Sequence, residues 1–476
     1  MAEFHPRDRL FAELRRHLDE VVTSRVGRIL ALRGRRQVGK STAVGRFVEA
    51  SKVAYVFVSG VRRAPSGLQL QFADEALLES RSRLADAELL ASSRSATWRD
   101  WLGKVALAAR EGPVIAVLDE FPWIAESDPT LEGLLQAQWD RVLEKLPVLL
   151  ILIGSDVAMM EGLVEHGRPL YGRARQLAVP PLNPAEVARV VAGWSAFEVF
   201  DAFLVTGGYP RLVTDLARTG SVKRFVHESL SDAFSPLITN GQLTLDAEFP
   251  EGRATYQALA AIGADDTANP NFTRVAATLG EPGGKAEQTA TTRALATLTE
   301  RGLVARESPA WAAPSSRLRR YRVADPYLRF WFRYAERSAE QAARGRADLA
   351  IAAFDRDWSS WRGRSIEPVV RQALELLAMR DDRLASVERV LPWWTRDGSA
   401  EVDAVAMAAD RTMLLGTVKW RERGGVTDRD VADLAPARSL VPRSAQARLV
   451  AISPSGESSA SADVSLGAAD LLGAWS

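Results

Sequence analysis

The chain has 476 residues, 47% of them hydrophobic and 25% charged, which places it among globular proteins and excludes a mainly disordered chain. Its 61 Lys and Arg against 60 Asp and Glu leave a formal charge of +1, so any nucleic-acid surface has to be local. With no Cys and four scattered His, disulfides and cysteine metal sites are excluded and a zinc site is disfavoured.

A length prior of roughly 150 residues per domain gives about three domains. The charged N-terminal residues lack the basic-then-apolar order of a signal peptide, and no apolar run approaches the ~20 residues that span a bilayer. The expectation is a soluble, cytoplasmic protein with no membrane partner.

Residues 10–22 carry an amphipathic helical pattern, and 28–32 form a short apolar strand that runs into a loop at Gly34. A helix at 42–50 and a Val-, Tyr- and Phe-rich strand at 53–58 follow. Residues 64–110 read as an inserted helical layer with Trp98 and Trp101 on its packing face. Uniformly apolar runs at 114–118 and 148–153, separated by a helix, suit parallel strands covered on both faces, and 175–179 supplies a last strand. After Asn183 the pattern turns helical as far as about 241, with a helix start at Pro184 and a sharp break at Gly207-Gly208-Tyr209-Pro210.

From about 255, three short helices, the third at 291–300, precede Gly302-Leu303-Val304 and a hairpin through 321–323, the order of a winged helix-turn-helix. Beyond about 342, a helix at 367–379 and strands at 404–407 and 413–420 make a separate α/β domain. Residues 453–465 are Ser-rich and read as a loop before a last helix at 468–472. The expected segments are therefore a P-loop core at 1–182, a helical lid at 183–250, a winged helix-turn-helix at 251–341 and a nuclease-like α/β domain at 342–476.

Gly34-Arg35-Arg36-Gln37-Val38-Gly39-Lys40-Ser41 fits a phosphate-binding loop between a strand and a helix. Glycines let backbone N–H groups turn toward an anion, and the helix N-terminus favours negative charge. Lys40 is placed to reach the β- and γ-phosphates, Ser41 to ligate magnesium and Thr42 to add a phosphate contact. Asp119 ends the apolar run 114–118, where its carboxylate suits magnesium, and Glu120 beside it suits orienting or deprotonating the attacking water. Ser155, after the next apolar strand, offers a polar group for the γ-phosphate. Arg173 and Arg175 both stand as candidates for a guanidinium that reaches it from the same or a neighbouring subunit.

These residues resemble the archaeal-type ATPases, a signal-transduction branch of the AAA+ superfamily. The resemblance is carried by Phe4-x-x-Arg7-Asp8, Leu118-Asp119-Glu120-Phe121-Pro122-Trp123, and Gly154-Ser155 with Met159-Met160. It continues through Pro169-Leu170-Tyr171-Gly172-Arg173, Gly207-Gly208-Tyr209-Pro210 and Asp325-Pro326-Tyr327-Leu328-Arg329-Phe330-Trp331-Phe332. It implies an AAA+-like parallel sheet that binds and hydrolyses ATP with magnesium, with Arg7 and Pro210 in the nucleotide-binding set and the turn near Pro210 approaching the adenine. It also implies a winged helix and a C-terminal domain of the restriction-endonuclease-like fold.

A nuclease of that fold needs clustered acids for magnesium and a lysine beside them. Glu367, Asp403 and Lys419 fall at matching places, but Thr417 stands where the pattern has a second strand acid, so the set is incomplete. That favours a degenerate fold kept for scaffolding or nucleic-acid contact. In the wing, Arg317, Arg319, Arg320 and Arg322 surround Tyr321 and suit phosphate contacts, yet the helix before it carries one cation over 291–299. DNA binding and packing against the ATPase core are equal readings of this module.

The functional expectation is an ATP-driven molecular switch with ATP and Mg2+ as ligands. DNA, a partner protein and a second copy of the chain stay open as partners. The alternatives are a magnesium-dependent nuclease regulated by ATP and a non-enzymatic DNA-binding regulator.

Overall fold

The computed structural model describes residues 7–80, 87–249, 253–265, 267, 269–280, 285–457 and 461–476. The chain divides into two compact units, Met1–Pro181 and Leu182–Ser476. Phe4 of the N-terminal motif lies outside the described residues.

Five strands build the first unit: β1 (Arg28–Arg33), β2 (Ala54–Ser59), β3 (Val114–Asp119), β4 (Val148–Gly154) and β5 (Ala174–Ala178). They lie in the order β2-β3-β4-β1-β5, and every neighbouring pair is parallel. β3 and β4 are buried at every position, which is why they read as unbroken apolar runs. Helix Asp8–Ser24 buries Leu14, Leu18 and Val21 along one stripe.

The helical layer expected between β2 and β3 is present as helices Ser66–Glu79, Ala87–Ser92 and Trp98–Glu111. A reciprocal Thr97–Asp100 cap starts the last of these. Trp98 and Trp101 are fully buried, and Trp101 Nε1 donates to the Ala73 carbonyl at 3.0 Å. Because the strands are parallel, β1, β3 and β4 all end at one edge, where Gly34, Asp119 and Ser155 gather.

The second unit holds the expected lid, winged-helix and C-terminal segments together. Helices Pro184–Val190, Ala196–Thr206, Pro210–Thr219, Val222–Ser231 and Pro236–Glu248 form the lid. Helices Arg253–Ala264, Phe272–Leu279 and Lys285–Glu300 then lead into the antiparallel pair β6 (Val304–Glu307) and β7 (Arg320–Val323). The C-terminal sheet comprises β8 (Arg389–Trp394), β9 (Glu401–Met407), β10 (Thr412–Val418), β11 (Arg448–Ile452) and β12 (Val464–Leu466). It is mixed, in the order β12-β11-β10-β9-β8, antiparallel from β8 to β10 and parallel from β10 to β12.

Three features here depart from expectation. The helix placed at 367–379 is the end of a 31-residue helix, Ala347–Leu377, with Pro368 inside it. An interior proline costs about 3 kcal/mol and reads as a helix start. Here Trp361, Ile366, Val369 and Val370 are buried on either side of it and offset that cost. β8 went unread because Pro392 interrupts its apolar run; as an edge strand it needs no donor at that position, and the free Pro392 carbonyl accepts from Ala310 N at 2.9 Å. The Ser-rich stretch 453–465 is not all loop, since β12 begins at Val464 and pairs with β11; 458–460 lie outside the described residues.

The lid is fastened to the rest of its unit by buried polar contacts. Arg362 Nη1 donates to Asp201 Oδ2 at 2.9 Å, both side chains being less than a tenth exposed, and the guanidinium lies 4.5 Å over the Phe197 ring. Tyr209 donates to Asp325 Oδ2 at 2.8 Å. Among the described residues, no helix is long and apolar enough to cross a membrane.

A buried ion pair is weak evidence of net stability, but removing one partner strands the other charge. Arg362→Leu is therefore expected to lower the unfolding free energy of the second unit by about 3–5 kcal/mol. Adding Asp201→Leu is expected to recover much of that loss, as read by denaturant titration.

Candidate nucleotide site

The loop after β1 is shaped by close approach and by left-handed backbone. A Cβ on Gly34 would lie 2.4 Å from the Val179 carbonyl oxygen, so only glycine lets β1 pass the chain leaving β5. Gln37 (φ 63°) and Gly39 (φ 83°) both take the left-handed region and curl the loop into the helix Lys40–Ser51. The amides of Gln37 and Gly39 have no acceptor among the described residues, and the first turn of the helix leaves further donors open by its geometry.

Lys40 is 6% exposed, and its ammonium donates to the carbonyls of Gly34 at 2.6 Å and Arg35 at 2.9 Å. Burial lowers its pKa to about 8, against the opposing pull of Glu120 and Asp119. Arg7, 5% exposed, braces the same loop: it donates to the Pro180 carbonyl at 2.6 Å and to the Val38 carbonyl. Sequence placed Arg7 among the nucleotide contacts; the structure shows it holding loop backbone, a role with no local signal.

The acidic pair joins this loop directly. Ser41 Oγ donates to Asp119 Oδ1 at 3.0 Å. Glu120, at φ 50°, turns the chain from β3 into helix Phe121–Ser127, and its own N–H donates to Asp119 Oδ1 at 3.0 Å. Burial raises the Asp119 pKa, with the Ser41 hydroxyl opposing the shift. Ser155 Oγ donates to Glu120 Oε2 at 3.0 Å, so the residue after β4 meets the carboxylate after β3. Gly60 permits the crowding beneath, since a Cβ there would lie 2.8 Å from the Glu120 carbonyl oxygen.

Lys40, Ser41, Asp119, Glu120 and Ser155 are thus brought together. Thr42 is exposed in the first helical turn, and Arg36 lies 5.9 Å over the Trp123 ring. Arg173 and Arg175 are not at this edge. β5 runs parallel to β1 with Ala174 opposite Ile29 and Ala178 opposite Arg33, so both arginines sit toward the end of the sheet away from Gly34. Arg173 pairs with Asp140 at 2.7 and 2.8 Å, and Arg175 lies 3.6 Å from Glu13. Within one subunit neither is positioned to face the loop.

Pro210 belongs to the second unit, where it opens the helix Pro210–Thr219. The turn before it requires glycine: Gly208 has φ 74°, and a Cβ there would lie 1.9 Å from the Leu182 carbonyl oxygen.

At the C-terminal sheet, Asp403 Oδ2 accepts from Val418 N at 2.7 Å and from the Thr417 hydroxyl at 3.4 Å, next to Lys419. Burial first and Asp403 second push the Glu367 carboxyl up to about 8. Two residues missed by sequence reasoning join them. Arg371, one helical turn past Glu367, carried a readable signal in its i,i+4 spacing; Glu307, from β6, carried none.

Two of the four wing arginines turn inward. Arg320 pairs with Glu401 at 2.5 Å and lies 4.3 Å over Trp394, while Arg322 donates to Glu307 at 2.8 Å. Trp311 Nε1 donates to Thr412 Oγ1 at 2.9 Å. The surface for this wing within its unit is the C-terminal sheet, whereas sequence had offered DNA or the ATPase core.

Residues 331–432 match the family DUF234, described as archaea bacterial proteins of unknown function. An uncharacterized protein of Methanocaldococcus jannaschii is 24% identical over 320 residues, covering 67% of this chain and 69% of that one. Among solved structures, a Walker-type ATPase of Pyrococcus abyssi is 17% identical, with 69% of this chain and 96% of that one covered at a TM-score of 0.49. The Aeropyrum pernix ORC2 protein, solved with ADPNP and ADP, is 16% identical, with 73% and 95% covered at a TM-score of 0.44. By its motifs and its parallel P-loop sheet, the chain resembles the archaeal-type ATPases.

Proposed function

We propose that the first unit binds and hydrolyses ATP with magnesium and that the chain works as a nucleotide-driven switch. The observation that carries this reading is the continuous contact set from Ser41 through Asp119 to Glu120 and Ser155 at one sheet edge, with Lys40 buried in the adjoining loop.

The site fits a triphosphate. Lys40 is a buried cation whose hydrogen-bond partners are two neutral carbonyls, so no carboxylate is bonded to it, and the loop around it offers open N–H donors. Ser41 and Asp119 would hold magnesium, which supplies charge neutralisation on the phosphates when bound. Glu120 acts on the attacking water, accepting its proton, and Ser155 sets where that carboxylate points. Arg7 keeps the loop in shape. Arg173 and Arg175 serve only a neighbouring subunit in this reading. DNA contact, which the sequence left open, falls to the exposed Arg317 and Arg293, since Arg320 and Arg322 are engaged within the unit.

Magnesium-dependent phosphate release is the direct test. Glu120→Gln is expected to keep ATP binding and lower turnover about 10²- to 10⁴-fold, the range for loss of a general base; Lys40→Ala is expected to lose binding. Wild-type protein that neither binds nor hydrolyses ATP with magnesium would end this reading. Gly34→Ala is expected to weaken both binding and folding, the overpacking costing about 1–3 kcal/mol in a denaturant titration.

The depressed Lys40 pKa sets a pH dependence. Between about 8 and the ordinary lysine value of 10.5 the unfolded chain binds more protons at this site than the folded one, so this group makes ligand-free stability rise with pH in that window. An arriving polyanion favours the charged form. ATP binding near pH 8.5 is therefore expected to take up protons, measured by calorimetry in buffers of different ionisation enthalpy, and Lys40→Arg is expected to remove that uptake.

A further inference from the structure

Three carboxyl groups and a guanidinium meet where the long helix Ala347–Leu377 crosses β9. Glu367 and Arg371 come from the helix, Asp403 from β9, and Glu307 from the wing strand β6. Arg371 is 5% exposed. Its Nη1 donates to the Asp403 carbonyl at 3.0 Å and lies 3.7 Å from Glu367 Oε2, while its Nη2 donates to Glu307 Oε1 at 2.9 Å. Arg322 Nε reaches the same Glu307 oxygen at 2.8 Å.

These residues do not fit the divalent cation that the restriction-endonuclease-like fold implies. Magnesium takes oxygen ligands at ~2.0–2.1 Å in a near-octahedral shell and keeps several waters, so its ligands have to be free to turn toward it. Here Asp403 Oδ2 is committed to Val418 N and Thr417, and Thr417 donates a hydrogen bond where an acid would supply charge. Glu307 Oε1 is shared by two guanidinium groups. Metal entry would have to expel Arg371, leaving a buried cation without its carboxylates.

The contacts around the cluster point the same way. Arg320 pairs with Glu401 at the start of β9 and lies over Trp394 at the end of β8. The segment between β6 and β7 adds a backbone bond from Ala310 to Pro392, and Arg443 lies 4.4 Å over Trp311. These contacts hold the wing segment to β8 and β9 and to the residues that follow β10.

We propose that the Arg371 guanidinium takes the place of the divalent cation and that Glu307 closes the cluster from the wing. The C-terminal site is then an internal ion lock that fastens the wing to the sheet, and it is not a metal-dependent phosphodiester-cleaving centre. The Glu307 carboxylate, with Glu367 close by, is used to hold a protein cation, and the wing face carrying Arg320 and Arg322 is used to make the lock.

Two measurements on the full chain test this. In the first, Mn2+ is titrated by electron paramagnetic resonance into protein carrying Lys40→Ala and Asp119→Asn, which removes the metal site of the phosphate loop. No saturable Mn2+ binding is expected; saturable binding that disappears on adding Asp403→Asn would overturn the proposal. In the second, Arg371→Met is expected to lower the melting temperature of the second unit, and Glu307→Gln is expected to cost less when added to it than when made alone, because the Glu307–Arg371 contact is already gone while the Glu307–Arg322 contact is lost in both cases. Losses that simply add would overturn the lock. Should Arg371→Met fail to fold, Arg371→Lys and Glu307→Gln serve instead: a combined loss smaller than the sum supports the lock, and an additive loss overturns it.

Discussion

A cation taken out of water has to be met by oxygen, and both units of this protein are organised around cations held in that way. What separates them is the kind of oxygen. Lys40 is met by the backbone carbonyls of Gly34 and Arg35, which solvate the ammonium without cancelling its charge. Arg371 is met by a carbonyl and by the carboxylate of Glu307, with Glu367 close by. The first arrangement leaves positive charge available to an anion at the edge of a parallel sheet. The second spends its charge inside the protein. One chain thereby holds a receptive cation and a closed one, and the difference follows from their partners.

Receptivity at Lys40 depends on backbone being in unusual places. Gly34 lies so close to the Val179 carbonyl that no side chain fits, and Gln37 and Gly39 curl the loop through left-handed conformations. Arg7 then holds the Val38 and Pro180 carbonyls, tying the start of the first helix to the loop and to the chain leaving β5. The acidic pair is set by parallel topology: strands that all point one way deliver Ser41, Asp119 and Ser155 to one edge, although 78 residues separate the first two.

The second unit shows why a fold is a poor guide to chemistry. Asp403 on its mixed sheet, Glu367 on the long helix and Lys419 just past β10 stand at places a nuclease would use, yet Asp403 is taken up by Val418 N and Thr417, and Arg371 lies beside Glu367. The same contacts bear on the winged helix. Two of its four wing arginines are bound to Glu307 and Glu401, so a basic cluster that suits phosphate when read along the chain serves in the fold to join two segments. The lid shares this integration, with Tyr209 beside the turn at Pro210 bonded to Asp325 and Arg362 bonded to Asp201.

Much of the first unit was legible because its signals are local. A glycine loop between a strand and a helix, an acidic pair closing an apolar run and a helical layer with Trp98 and Trp101 on one face each declare themselves within a short stretch. Elements whose identity depends on a neighbour were not legible. β8 tolerates Pro392 only because it is an edge strand, the long helix carries Pro368 through its packing, and β12 exists because β11 is there to pair with it. By itself the sequence determined the residue types and the order in which they arrive, and so the P-loop core and its candidate acids. Only the tertiary structure decided which charges stay open and which are consumed: that Arg173 faces Asp140, that Arg7 grips the loop backbone and that Arg371 is closed in by Glu307. The reason is physical, since the state of a charge depends on the oxygen within ~3 Å of it, and that oxygen is brought by residues far away along the chain.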